Sequence, residues 1–499
     1  MNKLINKWAV LLLVVVLQSA CTGKFEEINT NPDALNDTPH TNVLARVQRV
    51  IAEQVGGDID GFGTWAGYIT KLQYPDDLSG VTPSNNGFGN RWSGCYTGLE
   101  QLRLVLAKTE ETAEGNKNLR WACRIFQLYM WLYMIDQYGD MPYSEALKGD
   151  PDLGGILMPK FDKEQDIYPD LIAKLKVIGD EMANGFGNDD IGEGDLLFNA
   201  DVEKWQRFCN SLRLRAAMRL SGVATSLAKT HIEEIAGNPA KYPLIDSNDD
   251  NAYFWWTNSS PYWERWYDNS RSRDDHTFYD TFINHLLNME DPRIEAIAKL
   301  AMDEVGDDTP TVYRGLLNGA NTPGDRPRYS RIGRIYRDIP AGFTPFFKSC
   351  QTYYILAEAA MLGWNVGMTA QEAYEKAVLL SMEDNGISDE NAENYLAGKG
   401  KWNNTIERIW WDEWVALFKE NMEAWCLYRR TGIPTPEVNY VSVFSRFSIE
   451  GVHNSQPFRT PYPQNQLDYN RPNYDIANAG IVDFAWGKQL WWDTRQGVR

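Results

Sequence analysis

The sequence predicts a mainly α-helical fold in which tetratricopeptide-like helix pairs support a loop-rich, ligand-binding portion. Two observations lead to this prediction. Apolar residues recur at helical spacing through most of the chain. Three long segments outside the predicted helices are instead rich in glycine, proline, asparagine and aromatic residues. Because disordered segments are poor in tryptophan and tyrosine, we interpret these three segments as binding loops.

The N-terminus reads as an export signal followed by a lipid attachment site. Lys3 and Lys7 precede an apolar run of ten residues from Trp8 to Leu17, too short for the roughly 20 residues that span a bilayer. The run ends before Cys21. We predict a signal peptide at 1–20, a lipidated tether at 21–40 that begins with acylated Cys21, and one helical domain at 41–499. The alternative is ordinary cleavage near Ala20, with Cys21 incidental.

The first helix is predicted from the apolar stripe between Val43 and Val55, which lies on one helical face. The same spacing predicts further helices at about 90–114, 117–138, 163–184, 200–222, 224–236, 276–289 and 292–303.

The clearest helix pair is predicted between residues 350 and 386. Its second helix opens with Thr369 and Glu372, the spacing of a capping box, and stops at Asn385-Gly386, a left-handed cap signal. The stretch 406–432 keeps helical spacing for more than six turns, so we expect one long helix there.

The irregular segments are 57–89, 304–346 and the tail from 433 to 499. Two stretches, 63–77 and the aromatic segment 253–271, concentrate aromatic rings among Asn, Ser, Asp and Arg. A tryptophan face covers the apolar face of a sugar ring, and neighbouring polar groups bind its hydroxyls. We therefore expect an aromatic ligand platform, with burial of these rings in the core as the alternative. Its candidate residues are Trp65, Tyr68, Tyr74, Trp255, Trp256, Trp263, Trp266 and Tyr267. Ser260-Pro261 is a plausible start for a short helix that would place Trp263 and Trp266 on one face.

Composition and motifs limit the classes of partner and of catalytic site that the protein can have. The net charge of −19 makes nucleic acid an improbable partner. The sequence has no HExxH, GxSxG or P-loop motif, and its five histidines lack metal-ligand spacing. The acidic stretches 187–195 and 246–252 could hold calcium, although solvated turns are the better interpretation, and we predict no cofactor. The five cysteines after Cys21 read as buried free thiols. A helical glycoside hydrolase needs only a pair of carboxylates, so that enzyme remains an alternative.

Several motifs in order resemble one family. They are the segments EEINTNPDAL after Cys21, IDQYGDMPYSEAL at 135–147, DVEKWQRFCNSLRLRAAMRLS at 201–221, MEDPR at 289–293, RTPYPQNQLDYNRPNYDIA at 459–477 and LWWD at 490–493. This pattern resembles the SusD/RagB nutrient-binding outer-membrane lipoproteins. Gly67 departs from it, at a place where the family pattern has glutamine.

The resemblance implies a fold, a location and a role. The fold would be helical with tetratricopeptide-like pairs, and the lipidated protein would face outward on the outer membrane. Its partner would be a SusC-like TonB-dependent transporter, and its cargo an oligosaccharide or, less often, a peptide. The protein would not be an enzyme. A structural subunit that seals the transporter without touching cargo is a further alternative.

Overall fold

A computed structural model describes residues 39–73, 85–109, 115–317, 326–435, 454–481 and 486–499, with backbone only at 85–89. Cys21, the predicted signal peptide and most of the predicted tether lie outside these residues. The described part contains seventeen α-helices. They are α1 (His40–Gly56), α2 (Phe62–Trp65), α3 (Asn85–Thr109), α4 (Lys117–Tyr138), α5 (Glu164–Ala183), α6 (Val202–Arg219), α7 (Thr225–Ala236), α8 (Arg265–Ser272), α9 (Asp280–Asn288), α10 (Ile294–Ile297), α11 (Ser349–Met361), α12 (Ala370–Asp384), α13 (Asp389–Ala397), α14 (Ile406–Ala416), α15 (Asn421–Thr431), α16 (Gln464–Tyr469) and α17 (Arg471–Asn478).

Four short strands form two antiparallel pairs in the described part of the chain. Strand β1 (Ile69–Lys71) pairs with β3 (His276–Phe278), and β2 (Ala252–Trp255) pairs with β4 (Phe343–Phe347). In each pair, an irregular segment of the sequence is joined to a segment far away in the chain. The strands therefore fix the loops against the helical frame.

The helices stack in sequence order, as the tetratricopeptide-like prediction requires. Contacts join α1 to α3, α3 to α4, α4 to α5, α5 to α6 and α6 to α7, and a second set joins α11 to α12 and α14. Helix α4 is buried along almost its whole length because α3 and α5 cover it on two sides. The mainly helical fold is confirmed.

The predicted capping box is also present, with Thr369 accepting from the Glu372 amide and Glu372 from the Thr369 amide.

Three predicted helices differ from the structure. The stretch 406–432 is two helices, α14 and α15, joined at Lys419, whose φ is 76°. The stretch 276–289 begins as strand β3 before α9, and 292–303 contains only the single turn α10. In each case tertiary pairing overrides a helical sequence pattern. None of the described helices has the length and apolar character needed to cross a bilayer.

The thiols of Cys95, Cys123, Cys209, Cys350 and Cys426 are free and buried, as predicted. Burial raises the pKa of Cys123 to about 12, because the interior disfavours the thiolate. These thiols therefore stay protonated and inert at neutral pH.

Charged residues are buried at three places where elements of the fold meet. Arg293, in the Asp-Pro-Arg turn, contacts Asp291 and lies 2.9 Å from Asp412 of α14. Asp136 of α4 lies 3.4 Å from Arg219 of α6, which also pairs with Glu423 of α15. Because an unpaired buried charge is costly, each set permits only one arrangement of its elements.

The third of these places is the contact between the aromatic segment 253–271 and the joint of α14 and α15. Glu264 and Lys419 are both buried, with Nζ 3.1 Å from Oε1. The other oxygen of Glu264 accepts from the Tyr267 amide at 2.8 Å and caps α8. The Lys419 amine also donates to the Tyr336 carbonyl at 2.7 Å. One buried ion pair thus fixes both the start of α8 and the joint between α14 and α15.

Changing Glu264 to alanine is expected to lower the free energy of unfolding by about 3 kcal/mol or more, because it leaves Lys419 buried without its partner and α8 without its cap. Chemical denaturation measures the change. The matched control is Asp475→Ala, which breaks the exposed pair of Arg471 and Asp475 and should cost less than about 1 kcal/mol. The double variant Glu264→Met/Lys419→Met should recover part of the loss. Equal small effects of Glu264→Ala and Asp475→Ala would contradict this role.

Glu164 is expected to make the stability of the fold depend on pH. Its carboxylate accepts from the Trp491 amide at 2.7 Å and so joins α5 to the C-terminal segment. Burial raises the pKa of Glu164 to about 7. Since the folded state holds this proton more tightly than the unfolded chain, the resulting stabilisation is present at low pH and is lost as pH rises through about 7.

Between pH 5 and 8.5, the free energy of unfolding of the wild type should therefore fall by roughly 2 kcal/mol more than that of the Glu164→Gln variant. Denaturant unfolding at both pH values measures this difference. Asp166→Asn, on the exposed side of the same first turn of α5, serves as the control and should follow the wild type. Parallel pH profiles for wild type and Glu164→Gln would refute the assignment.

Candidate functional site

The aromatic segment 253–271 folds as a strand, a turn and a short helix. Strand β2 ends at Trp255, and the Trp256 amide donates to the Gly342 carbonyl at 2.8 Å. The Thr257 amide then donates to the Tyr262 carbonyl at 2.9 Å and closes the turn. This turn brings Tyr262 and Trp263 back beside the end of the strand. Thr257, Asn258 and Ser259 are exposed in the turn.

The two neighbouring tryptophans at the end of β2 face opposite ways, because successive strand residues alternate. Trp255 is 60% exposed, and its ring centroid lies 5.5 Å from that of Phe343. Trp256 is buried, and its indole donates to the Thr344 hydroxyl at 2.9 Å. Trp256 therefore anchors the strand to β4, while Trp255 presents an open face to solvent.

Beyond the turn, Trp263 is half-buried and lies edge-to-face with Tyr267, with centroids 6.0 Å apart. The guanidinium of Arg271 lies 3.8 Å from the Trp263 centroid. Helix α8 begins at Arg265 rather than at Ser260-Pro261, so Trp263 precedes it. The prediction that Trp263 and Trp266 share a helix face is therefore wrong. Trp266 points inward and packs 5.6 Å from Phe418.

Tyr262 was not among the predicted platform residues. It is 46% exposed, and the Arg49 guanidinium of α1 lies 5.6 Å from its ring. The one sequence signal for Tyr262 as a ligand-facing ring was its place in the ring-rich segment. The turn that exposes it could not be derived from the spacing of residues in the sequence. We call Trp255, Tyr262, Trp263 and Tyr267 together the aromatic ridge.

The other candidate rings belong to the core. The Trp65 ring lies 5.0 Å from Trp425, and Tyr68 stacks on Trp414 at 5.3 Å and donates its hydroxyl to the Trp414 carbonyl. Trp414 in turn donates to the Ala66 carbonyl at 2.8 Å. The glycine-rich segment is therefore covered by α14 and α15. The expectation of an exposed platform is wrong for four buried rings, since a ring packed on both faces cannot stack on a ligand: Trp65, Tyr68, Trp256 and Trp266. Tyr74 lies outside the described residues.

The ridge has the chemistry of a site for a flat, partly apolar molecule. Covering about 100 Å² of the Trp255 face is worth roughly 2–3 kcal/mol before the costs of binding. Asp268 lies 3.6 Å from Arg265 and 3.8 Å from Arg271. Glu264 pairs with Lys419. Both acidic groups of this segment are thus engaged by cations.

Acidic side chains in both stretches considered for calcium contact other protein groups, and in 246–252 Asp246 lies 3.0 Å from Arg207. Asp189 accepts from the Asn118 and Leu119 amides at the start of α4, and Asp195 accepts from Gln48 and the Trp205 indole. No group of three histidine, cysteine or acidic side chains comes together as a metal site among the described residues. The expectation of solvated turns and no cofactor, with calcium at either stretch as its alternative, stays a prediction.

Comparison with known proteins agrees with the fold. Residues 35–463 match the model of the SusD-like family that is described as "Starch-binding associating with outer membrane". No curated protein sequence matches the chain.

Solved structures of SusD-like proteins superimpose over nearly the whole chain. A chitin-binding protein aligns with a TM-score of 0.78 and 22% identity, covering 92% of this chain and 100% of its own. A SusD-like protein from Bacteroides thetaiotaomicron has a TM-score of 0.75 at 20% identity, covering 92% and 99%. A chitin-binding SusD homolog from Flavobacterium johnsoniae has a TM-score of 0.72 at 22% identity, covering 92% and 98%. With its stacked helices and with most of its length matched by the family model, this chain belongs to the SusD-like family.

Proposed function

We propose that this protein binds an oligosaccharide on the aromatic ridge at the cell surface and delivers it to a SusC-like TonB-dependent transporter. The observation that carries the proposal is the exposed Trp255 face, held on a strand whose next residue, Trp256, is buried and hydrogen-bonded. A ring fixed in this way loses little conformational entropy when a sugar stacks on it.

Three further features support carbohydrate as the ligand class. Exposed hydroxyl and amide groups at Thr257, Asn258 and Ser259 border the ridge and can bind sugar hydroxyls. The family description names starch, and two structural relatives are described as chitin-binding. A peptide is the second ligand class that the SusD/RagB resemblance allows.

Delivery depends on the predicted lipid at Cys21. An acylated tether would keep the domain close to a transporter in the same membrane, which raises the effective concentration of bound cargo without new contacts. In this proposal the protein acts as a lid, capturing the oligomer and then closing over the transporter.

Two alternatives make different predictions. A helical glycoside hydrolase needs two carboxylates flanking the glycosidic bond. Glu264 and Asp268 are instead both paired with cations, which favours binding over hydrolysis at the ridge. A structural subunit of the transporter would bind no cargo, whereas a binding protein uses an exposed ring beside polar groups to hold a sugar.

Changing Trp255 to alanine should weaken binding of the protein's oligosaccharide by at least about tenfold, because the stacking area is lost. Calorimetric titration of the purified domain against a panel of starch, chitin and other oligosaccharides, with oligopeptides included, measures this effect. The matched control is Tyr469→Ala, which removes a ring that is 79% exposed on α16 and is not part of the ridge.

Each outcome of this titration separates the alternatives. Equal affinity of the wild type and the Trp255→Ala variant would move the site off the ridge. Binding to peptides alone would overturn the carbohydrate class. Release of shorter products from any oligosaccharide would favour the hydrolase, and the absence of any binding would favour the structural subunit.

Changing Cys21 to serine should release the protein from the membrane fraction, because the thioether that carries the lipid cannot form. Fractionation of cells and labelling with a fatty acid test this result. The wild type should take up label and sediment with outer membranes, whereas the variant should do neither. An unlabelled wild-type protein would instead support ordinary cleavage near Ala20.

A further inference from the structure

A groove separate from the aromatic ridge lies between α4 and α5 and is bordered by the segment 143–147. Its volume is about 640 Å³, within the range of roughly 300–1,000 Å³ that ligand pockets have. Apolar side chains from both helices and from the segment form part of its lining, among them Leu128, Leu147 and Ile167. None of the four ridge residues lines this groove. The function proposed above therefore leaves it without a role.

Hydrogen bonds hold the segment 143–147 in place beside the groove. The amides of Tyr143 and Ser144 donate to the Asp162 carboxylate at 3.2 and 2.7 Å, and the Ser144 hydroxyl donates to the same carboxylate at 2.8 Å. Just before the segment, the Tyr96 hydroxyl of α3 donates to the Pro142 carbonyl at 2.6 Å. Because these contacts are made within the protein, this wall of the groove is preformed and loses little conformational entropy when a ligand binds.

Two aromatic rings line the groove at this wall. Trp131 of α4 and Tyr143 lie edge-to-face, with centroids 5.0 Å apart. The Lys174 amine of α5 lies 4.8 Å from the Tyr143 centroid and donates to the Tyr143 hydroxyl at 2.7 Å, which fixes that ring. Trp131 is only 8% exposed, and its indole N–H makes no hydrogen bond to any described residue. The N–H of this buried ring is therefore available to a ligand in the groove.

The charges that line the groove are nearly balanced, with three carboxylates and two cations. Asp170 pairs with Lys174 at 2.7 Å, and Arg124 pairs with Glu181 outside the groove at 2.8 Å. The carboxylate that holds the segment 143–147 is satisfied by that segment. Asp166 is exposed and makes no ion pair or side-chain hydrogen bond with the described residues. Since carboxylates accept strong hydrogen bonds from hydroxyl groups, a neutral ligand rich in hydroxyls suits this lining.

We propose that this groove is a second carbohydrate site, in which a neutral oligosaccharide packs on the apolar lining, accepts from the Trp131 indole and donates to Asp166. A sugar has an apolar face of C–H groups together with hydroxyls that both donate and accept. The groove offers the matching set, namely an apolar surface, an available donor and an available carboxylate. This inference goes beyond the proposed function, because the site uses no residue of the ridge.

A second site changes how a polymer is captured. A glycan long enough to reach both sites binds at the second one intramolecularly, so its overall affinity exceeds the affinity of either site alone. The stacked helices then take part in capture as well as supporting the loops.

Titration of the purified protein with short neutral sugars tests the groove. The probes are maltotriose, cellotriose, chitotriose and xylotriose, with spermidine as an amine of similar size. The Trp255→Ala variant weakens the ridge, so binding that persists in this variant reports on the groove. Calorimetry should show that at least one of the four trisaccharides still binds to Trp255→Ala and that spermidine does not.

Further changes in the Trp255→Ala background assign the remaining binding to the groove. Asp166→Ala should weaken it at least about tenfold, because a charge-assisted hydrogen bond is lost, and the exposed position of Asp166 leaves the fold intact. Trp131→Phe keeps an aromatic ring but removes the N–H, and should weaken binding about threefold or more. The matched control is Asp152→Ala, which removes an exposed carboxylate that does not line the groove and should leave binding unchanged.

The groove and the ridge can fail separately in this experiment. If Trp255→Ala abolishes all sugar binding, or if Asp166→Ala and Trp131→Phe leave the remaining binding unchanged, the groove is not a sugar site and the ridge proposal stands. Binding of spermidine without any trisaccharide in the Trp255→Ala background would overturn the carbohydrate class at the groove. Sugar binding that the groove variants weaken and Trp255→Ala does not would support the groove and contradict the ridge. Failure of every trisaccharide to bind the wild type would overturn the groove site as well.

Discussion

The buried ion pair between Glu264 and Lys419 is the constraint on which the candidate site depends. Lys419 sits with a left-handed backbone at the joint of α14 and α15, and Glu264 caps the helix that follows the aromatic turn. A lysine without its partner at that depth would carry a large desolvation cost. The pair therefore couples the geometry of the helical frame to the position of the exposed rings.

The same principle recurs at two other places, one between a turn and a helix and one between three helices. Arg293 holds the Asp-Pro-Arg turn to Asp412, and Arg219 joins Asp136 to Glu423 across three helices. Apolar packing alone tolerates small shifts, whereas a buried charge network is satisfied by one arrangement. The protein thus builds a rigid scaffold from stacked helices and uses buried charges to fix the loops that carry recognition.

The sequence was informative about elements whose signals are local. The capping box at Thr369 and Glu372, the apolar stripe of α1 and the buried cysteines were all predicted from short stretches. The candidate site was predicted less well. Trp255 is exposed, but Trp65, Tyr68, Trp256 and Trp266 are buried. Tyr262 was missed, because exposure depends on which neighbours cover a ring.

The sequence by itself determined the helical class, the helix pairs and the presence of ring-rich loops, because periodicity and caps are properties of neighbouring residues. Only the tertiary structure decided which rings face solvent and that the stretch 406–432 breaks at Lys419. These features come from residues far apart in the chain, such as Glu264 and Lys419, and no local pattern records such contacts.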